Sequence, residues 1–345
     1  MAYRVQITLT IVSFLWAGAS GAAAQNVALA AAPAAKAATT TDAVNPVPRT
    51  ADGHPDLQGY WTNATVTPLE RPKDLGNKAF FTPEEAAEYA KKQLAVPEPT
   101  GKGTYADVHY NMAQFGLEKS QTKVAANIRT SLIVDPIDGR IPAVTPEARQ
   151  RNAERTAKNK GHEFDSAQNR SLGERCILWP NEGPPMMPVG YNSNLQILQG
   201  SGYVAVLQEM IHDVRMIPTD GRPHLPSNIR QWMGDSRGHW EGDTLVVDTT
   251  NFTDQTAFRG ASDNLHVVER FRRVDANTVL YSFMVDDPST WTHSWSAEIP
   301  MTKIDGPIFE YACHEGNYGM ANNLSGARAE EKQAAEKKAG EQGAK

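Results

Sequence analysis

A mainly β fold, in which an antiparallel meander closes toward an eight-stranded barrel, is predicted by three features of the second half of this sequence. From Asn194 onward, NLQILQ, YVAVLQEM, DVRMIP, TLVVDTTNF, LHVVERFRRV, TVLYSFMVDD, SWSAEIPMTKI and IFEYACH are short runs rich in Val, Ile, Thr and aromatic residues. Turn-forming residues separate nearly all of them: Gly200-Ser201-Gly202, Thr219-Asp220-Gly221, Gly242-Asp243, Asp275-Ala276-Asn277, Asp287-Pro288 and Asp305-Gly306. No helical period intervenes, so the crossover helices that parallel strands require are missing. Eight antiparallel strands close into a small barrel whose interior holds either side chains or one small ligand. Residues 194–325 are the expected barrel domain.

The first half reads as a wrapping layer. Met1 to Arg4 form a short positive start, Val5 to Trp16 are mostly apolar, and Ala22-Ala23-Ala24 supplies an A-x-A site, so residues 1–24 are expected to be a secretory signal peptide. An Ala- and Pro-rich linker without apolar periodicity fills 25–54. Within 55–193, Thr82-Pro83-Glu84-Glu85 and Thr145-Pro146-Glu147 each place an N-cap, a proline and acids at a helix start. The second of these helices, ARQRNAERTAKNK, is polar all round and is expected on the surface. Between them SLIVDPIDGRIP reads as a strand, a turn and a short continuation. Residues 326–345 balance Ala, Glu and Lys with no apolar stripe, which predicts a solvent-facing helix or tail.

Charge and cysteine content narrow the function. The 345 residues carry 34 basic and 40 acidic side chains, a net charge of −6, which argues against a nucleic-acid partner. The apolar run at the N-terminus is too short to span a bilayer and none follows, so no stable membrane insertion is expected and the location is periplasmic or secreted. Two cysteines, Cys176 and Cys313, in an oxidising compartment are expected to form one structural disulfide. The rival reading, a reactive Cys313 beside His314, requires a reduced thiol of lowered pKa.

The blocks PDLQGYW, ERCILWPNEGPPMMP, QWMGDSRGHWEGDTLVVDTTNF and FEYACHEGNYGM, spread between about Pro55 and Glu331, together resemble a widespread family of exported bacterial proteins. The resemblance implies export and a β-rich domain and carries over no catalytic assignment. Gly59-Tyr60-Trp61 is similar to the Gly-x-Trp that opens the first strand of lipocalin-type (calycin) barrels, although in those proteins the next strands follow at once.

Several constellations bear chemistry. Gly234-Asp235-Ser236-Arg237-Gly238 fits G-x-S-x-G, but the helix that should leave a nucleophile elbow is replaced by a hairpin and strand, so a polar loop is expected. EMIHDVR gathers Glu209, His212, Asp213 and Arg215 beside a turn at the sheet rim. There His212 can act as base, Asp213 or Glu209 can orient it, and Arg215 can stabilise a developing oxyanion. A charged hairpin tip with Arg215 paired locally is the plainer reading. A second cluster, His314, Glu315 and Tyr318 with Tyr311, would be pinned by the disulfide near Trp179 and Glu182, and makes His314 a candidate acid. Trp179, Trp240, Tyr311, Tyr318 and Glu315 are the candidate substrate contacts, because aromatic faces stack on apolar rings. Trp295 alternates with Ala297, Ile299 and Met301 and is expected in the core.

No GxxxxGK[ST] or strand-borne GxGxxG is present, so no nucleotide cofactor is expected, and no HxH or HExxH preorganises a metal. The sequence therefore points to a cofactor-free acid/base enzyme of lyase, isomerase or hydrolase type, acting on a small apolar or aromatic molecule at a barrel mouth. A small-molecule carrier or sensor without chemistry is the alternative. A third reading is a metal-assisted hydrolase that uses the same histidines.

Overall fold

The computed structural model describes residues 47–94, 127–179, 182–188, 192–255 and 258–343. The expected signal peptide and residues 25–46 of the linker lie outside them. Strands β1 (Gly59–Thr62), β2 (Ile133–Asp135), β3 (Asn194–Gly200), β4 (Tyr203–Gln208), β5 (Val214–Pro218), β6 (Asp235–Glu241), β7 (Thr244–Thr250), β8 (His266–Arg273), β9 (Thr278–Asp286) and β10 (Trp295–Lys303) form one sheet. Its order is β5-β4-β3-β1-β10-β9-β8-β7-β6, with β2 also paired to β10. Every ladder is antiparallel, and the sheet curls into a nearly closed barrel.

Period-two alternation explains the inside. Val267, Glu269, Phe271 and Arg273 of β8, Val279, Tyr281, Phe283 and Val285 of β9, and Trp295, Ala297, Ile299 and Met301 of β10 are all buried while their neighbours face outward. With Trp61, Leu195, Ile197, Val204, Val206, Ile217, Leu245 and Val247 they make one continuous core. Each large apolar side chain so buried contributes roughly 1.5–3 kcal/mol. Side chains therefore fill this barrel, and a ligand site must lie at an end.

Antiparallel pairing also decides which connections meet. Thr62 pairs with Asn194, Leu195 with Gln208, Leu207 with Val214, Asp235 with Thr250, and His266 with Asp286. Asn63, Asn192–Ser193, Glu209–Asp213, Gly234 and Asn251 thus gather at one end. The edge strands β5 and β6 both start there and run parallel, so residues 219–234 must cross from the far end back to it. No ladder joins these two strands. Gly238 permits their close approach, since a Cβ on it would lie 3.0 Å from side-chain carbons of both Ile217 and Thr219.

Three expectations change. The sheet has ten strands because β1 and β2, from the first half, occupy one edge of β10 while β9 takes the other. IFEYACH, which follows β10, finds both edges of that strand taken and is irregular over residues 308–314. The segment read as a polar loop is the start of β6, where the small Ser236 and Gly238 face inward. Ser236 is buried with its Oγ 2.9 Å from Thr249 Oγ1, so it is not poised as a nucleophile.

Three α-helices accompany the sheet among the described residues, α1 (Pro83–Leu94), α2 (Pro146–Asn159) and α3 (Tyr318–Gly343). In α1, Glu85 N–H donates to Thr82 Oγ1 at 3.2 Å and Thr82 N–H donates back to Glu85 Oε2 at 2.8 Å, a capping box. The Thr145 Oγ1 of α2 accepts from Ala148 N–H at 3.1 Å. Thr145→Ala should cost about 1 kcal/mol and lower Tm by roughly 2–4 °C, as read by thermal denaturation. Almost all of α3 is exposed. No described helix is long and apolar enough to cross a membrane.

Candidate functional site

The EMIHDVR segment lies at the gathering end of the barrel, and its four polar groups separate. A single 3-10 turn at Met210–His212 joins β4 to β5, with Ile211 at φ +59° and His212 at φ +53°. A β-branched residue in this left-handed region costs about 1–2 kcal/mol, which burial of the Ile211 side chain offsets. Asn192, alongside, is left-handed too. Strain of this kind at one end of a fold marks a segment held in place by its surroundings.

Glu209 is buried and accepts from Asn192 Nδ2 at 2.7 Å and Asn194 Nδ2 at 2.8 Å. His212 is exposed, and its Nδ1 lies 2.8 Å from the Tyr311 carbonyl, which can only accept. That contact puts the imidazole proton on Nδ1 and leaves the Nε2 lone pair as a base. The orienting partner of His212 is therefore a backbone carbonyl, not Asp213 or Glu209. Arg215 points into the barrel, where its Nη1 and Nη2 donate to Glu269 at 2.6 and 2.9 Å, and Tyr281 Oη donates to the same carboxylate at 2.8 Å. Arg215 is buried, so the structure places it as an interior ion pair instead of an oxyanion group at the rim. Its partner lies across the barrel on β8.

Asp213 remains at the rim. It is half-buried, and burial raises its carboxyl above the usual range, while the neighbouring His212 lowers it in part. It stands on the wall of a cleft of about 500 Å³ whose other lining residues are Ile177, Leu178, Arg230, Gln231, Trp232, Met233 and Thr253. Four of these are large and apolar, which is the usual make-up of a small-molecule site.

A second carboxyl lies close enough to feel the charge on Asp213. Glu182, 4% exposed, is pushed up to about 8, first by burial and further by Asp213, against a lowering hydrogen bond from the Trp179 backbone. That bond, Trp179 N–H to Glu182 Oε2, is 3.1 Å long. Among the described residues Glu182 Oε1 has no partner, nor does Asn63 Oδ1, and both residues line a cavity of about 10 Å³ with Trp179, Gln208 and Met210. Gln208 Nε2 donates to the Glu182 carbonyl at 2.8 Å and fixes the backbone there. A buried carboxyl with a high pKa beside a cleft is a recurrent mark of acid/base sites.

No protein-family model, curated protein or solved structure matches this chain.

The remaining sequence candidates lie elsewhere. Cys176 and Cys313 are disulfide-bonded. Tyr311, Cys313 and Glu315 line a pocket of about 590 Å³ around the bridge, which Trp179, Glu182 and Trp240 do not line. His314 is exposed, and Tyr318, 74% exposed, is the first residue of α3. Trp240 stacks on His54 at 4.4 Å and packs against the core near the far end of β6 from the cleft. Among the described residues, no three His, Cys, Asp or Glu side chains are arranged to hold a metal ion.

The sequence reading did not select the cleft wall supplied by Trp232 and Met233. A polar chain secures their connection: His224 Nδ1 lies 2.9 Å from Asp235 and its Nε2 2.9 Å from Asp248, whose other oxygen meets His266 Nε2 at 2.8 Å. The hydrogen bond to Asp248 holds the His266 imidazolium above its usual range. Arg237 Nε reaches the Pro223 carbonyl at 2.9 Å, a further tie between β6 and the same crossing.

Proposed function

We propose that this is an exported acid/base enzyme of lyase, isomerase or hydrolase type, acting on a small molecule with an apolar or aromatic body in the cleft beside Asp213. Asp213 transfers the proton, His212 Nε2 serves as a neighbouring base, and Glu182 is the protonated reserve behind them. The observation that carries the reading is a half-buried carboxyl, raised by burial, on the wall of an otherwise largely apolar cleft. Export is supported by the disulfide and by the signal-like N-terminus.

The test is a turnover screen of small aromatic esters, lactones, epoxides and unsaturated acids with wild type and Asp213→Asn. The variant should lose about 10²–10⁴-fold in kcat and keep ligand affinity within about tenfold. Equal kcat in both proteins contradicts the assignment of Asp213. A carrier without chemistry is the second reading, favoured by the internal ties of Glu209 to Asn192 and Asn194 and of Arg215 to Glu269. Binding of panel members without turnover of any of them would establish it instead.

A further inference from the structure

Among the described residues the cleft beside Asp213 holds one cation, Arg230, and its donors are unevenly used. Nη1 is saturated, with its two N–H groups directed to the carbonyls of Phe252 at 2.9 Å and Asp263 at 2.6 Å. Nη2 has the Asp263 carboxylate at 3.4 Å. The Nε–H and the Nη2–H beside it have no partner among the described residues. These two point the same way and form the parallel fork that meets both oxygens of a carboxylate. The two carbonyls fix the guanidinium plane, so the fork is oriented before any ligand arrives. Asp263 offsets only part of the charge, because both side chains of that pair are more than a third exposed or nearly so, at 34% and 44%.

The rest of the wall sets the body of the ligand. Ile177, Leu178, Trp232 and Met233 offer apolar and aromatic surface in the same cleft of about 500 Å³. We propose that the substrate class is an amphipathic monocarboxylate, with an aromatic or branched apolar body against these four side chains and its carboxylate on the Nε/Nη2 fork of Arg230. The proposal rests on the acid/base reading only for the choice of this cleft as the reaction site. A carboxylate anchored there would hold the substrate at a fixed distance from Asp213, which is the positioning that proton transfer requires.

The test uses trans-cinnamate and its neutral isostere cinnamamide, titrated into the full chain by calorimetry and by the 15N–1H resonance of Arg230 Nε. Cinnamate should bind at least about tenfold more tightly than the amide, the effect of one charge-assisted pair, and should shift the Nε resonance. Arg230→Lys keeps the charge but loses the fork, and should lose most of that preference while Trp232→Ala weakens both ligands alike. If Arg230→Lys fails to fold, the wild-type comparison decides alone. Equal affinity for acid and amide, or no binding of either at millimolar concentration, overturns the proposal. An unchanged kcat in Asp213→Asn would instead overturn the acid/base reading and leave a measured cinnamate preference standing.

Discussion

At pH 9, Glu182→Gln should stabilise the fold by about 3–5 kcal/mol, and at pH 4 by almost nothing. The carboxyl titrates at about 8 in the fold against an ordinary 4.5, because burial disfavours its charge. A folded-state pKa raised in this way means that the fold binds the proton more tightly than the unfolded chain does. Below 4.5 both states hold it, and the group contributes no pH-dependent penalty. From 4.5 to about 8 the unfolded chain releases its proton while the fold keeps it, so stability falls with each unit of pH. Above 8 the loss is complete. Glutamine has nearly the same shape, carries no charge at any pH and can still accept from the Trp179 N–H, so it removes the penalty. Urea unfolding of both proteins between pH 4 and pH 9 measures it, and a difference that does not change with pH contradicts the assignment.

Glu269→Ala should be the most damaging single change in the barrel, lowering stability by about 3–5 kcal/mol in the same assay at neutral pH. Glu269 is 0% exposed and accepts both hydrogen bonds of Arg215 and one from Tyr281, which in turn accepts from the Met186 N–H at 2.8 Å. Removing the carboxylate leaves the Arg215 charge in a dry interior with nothing to answer it. Replacing both members by apolar residues, Arg215→Met with Glu269→Leu, removes the orphaned charge and should recover most of the loss. The double variant also separates structure from chemistry. It should keep turnover, since Arg215 faces the interior, and abolition of activity in a well-folded double variant would return Arg215 to the site.

Runs of Val, Ile, Thr and aromatic residues between turn signals made β3, β4, β5 and β7 to β10 legible in the sequence, and in β8, β9 and β10 a strict alternation of buried and outward residues accompanies them. Strand β2 was legible within SLIVDPIDGRIP from its apolar β-branched run, and β1 only as the Gly59-Tyr60-Trp61 similarity, since strands of three and four residues are too short to show a period. The start of β6 was hidden for a different reason. Where a barrel closes without a ladder, small residues face inward, and Gly234-Asp235-Ser236-Arg237-Gly238 has the composition of a loop while having the geometry of a strand.

The EMIHDVR cluster was legible as a concentration of polar groups beside a turn, but not the direction of each group. Those directions follow from the 3-10 turn at Met210–His212 and from partners remote in sequence: Glu269 for Arg215, the Tyr311 carbonyl for His212, and Asn192 and Asn194 for Glu209. Glu182 carried a usable signal, a single carboxylate among Trp, Pro and Met in WPNEGPPMMP. Trp232 carried only the general signal of an aromatic face, and Met233 and Arg230 carried none, because all three sit on the long crossing between β5 and β6, whose course depends on the His224 and Arg237 ties.

The acid/base account places behind Asp213 and His212 a carboxyl, Glu182, that keeps its proton at neutral pH. Infrared difference spectra of wild type against Glu182→Gln, recorded across pH, isolate that one group. A protonated-carboxyl band should be present at pH 6 and vanish with a midpoint of about 8. A band that has already disappeared by pH 5, as for an ordinary glutamate of about 4.3, would contradict the account.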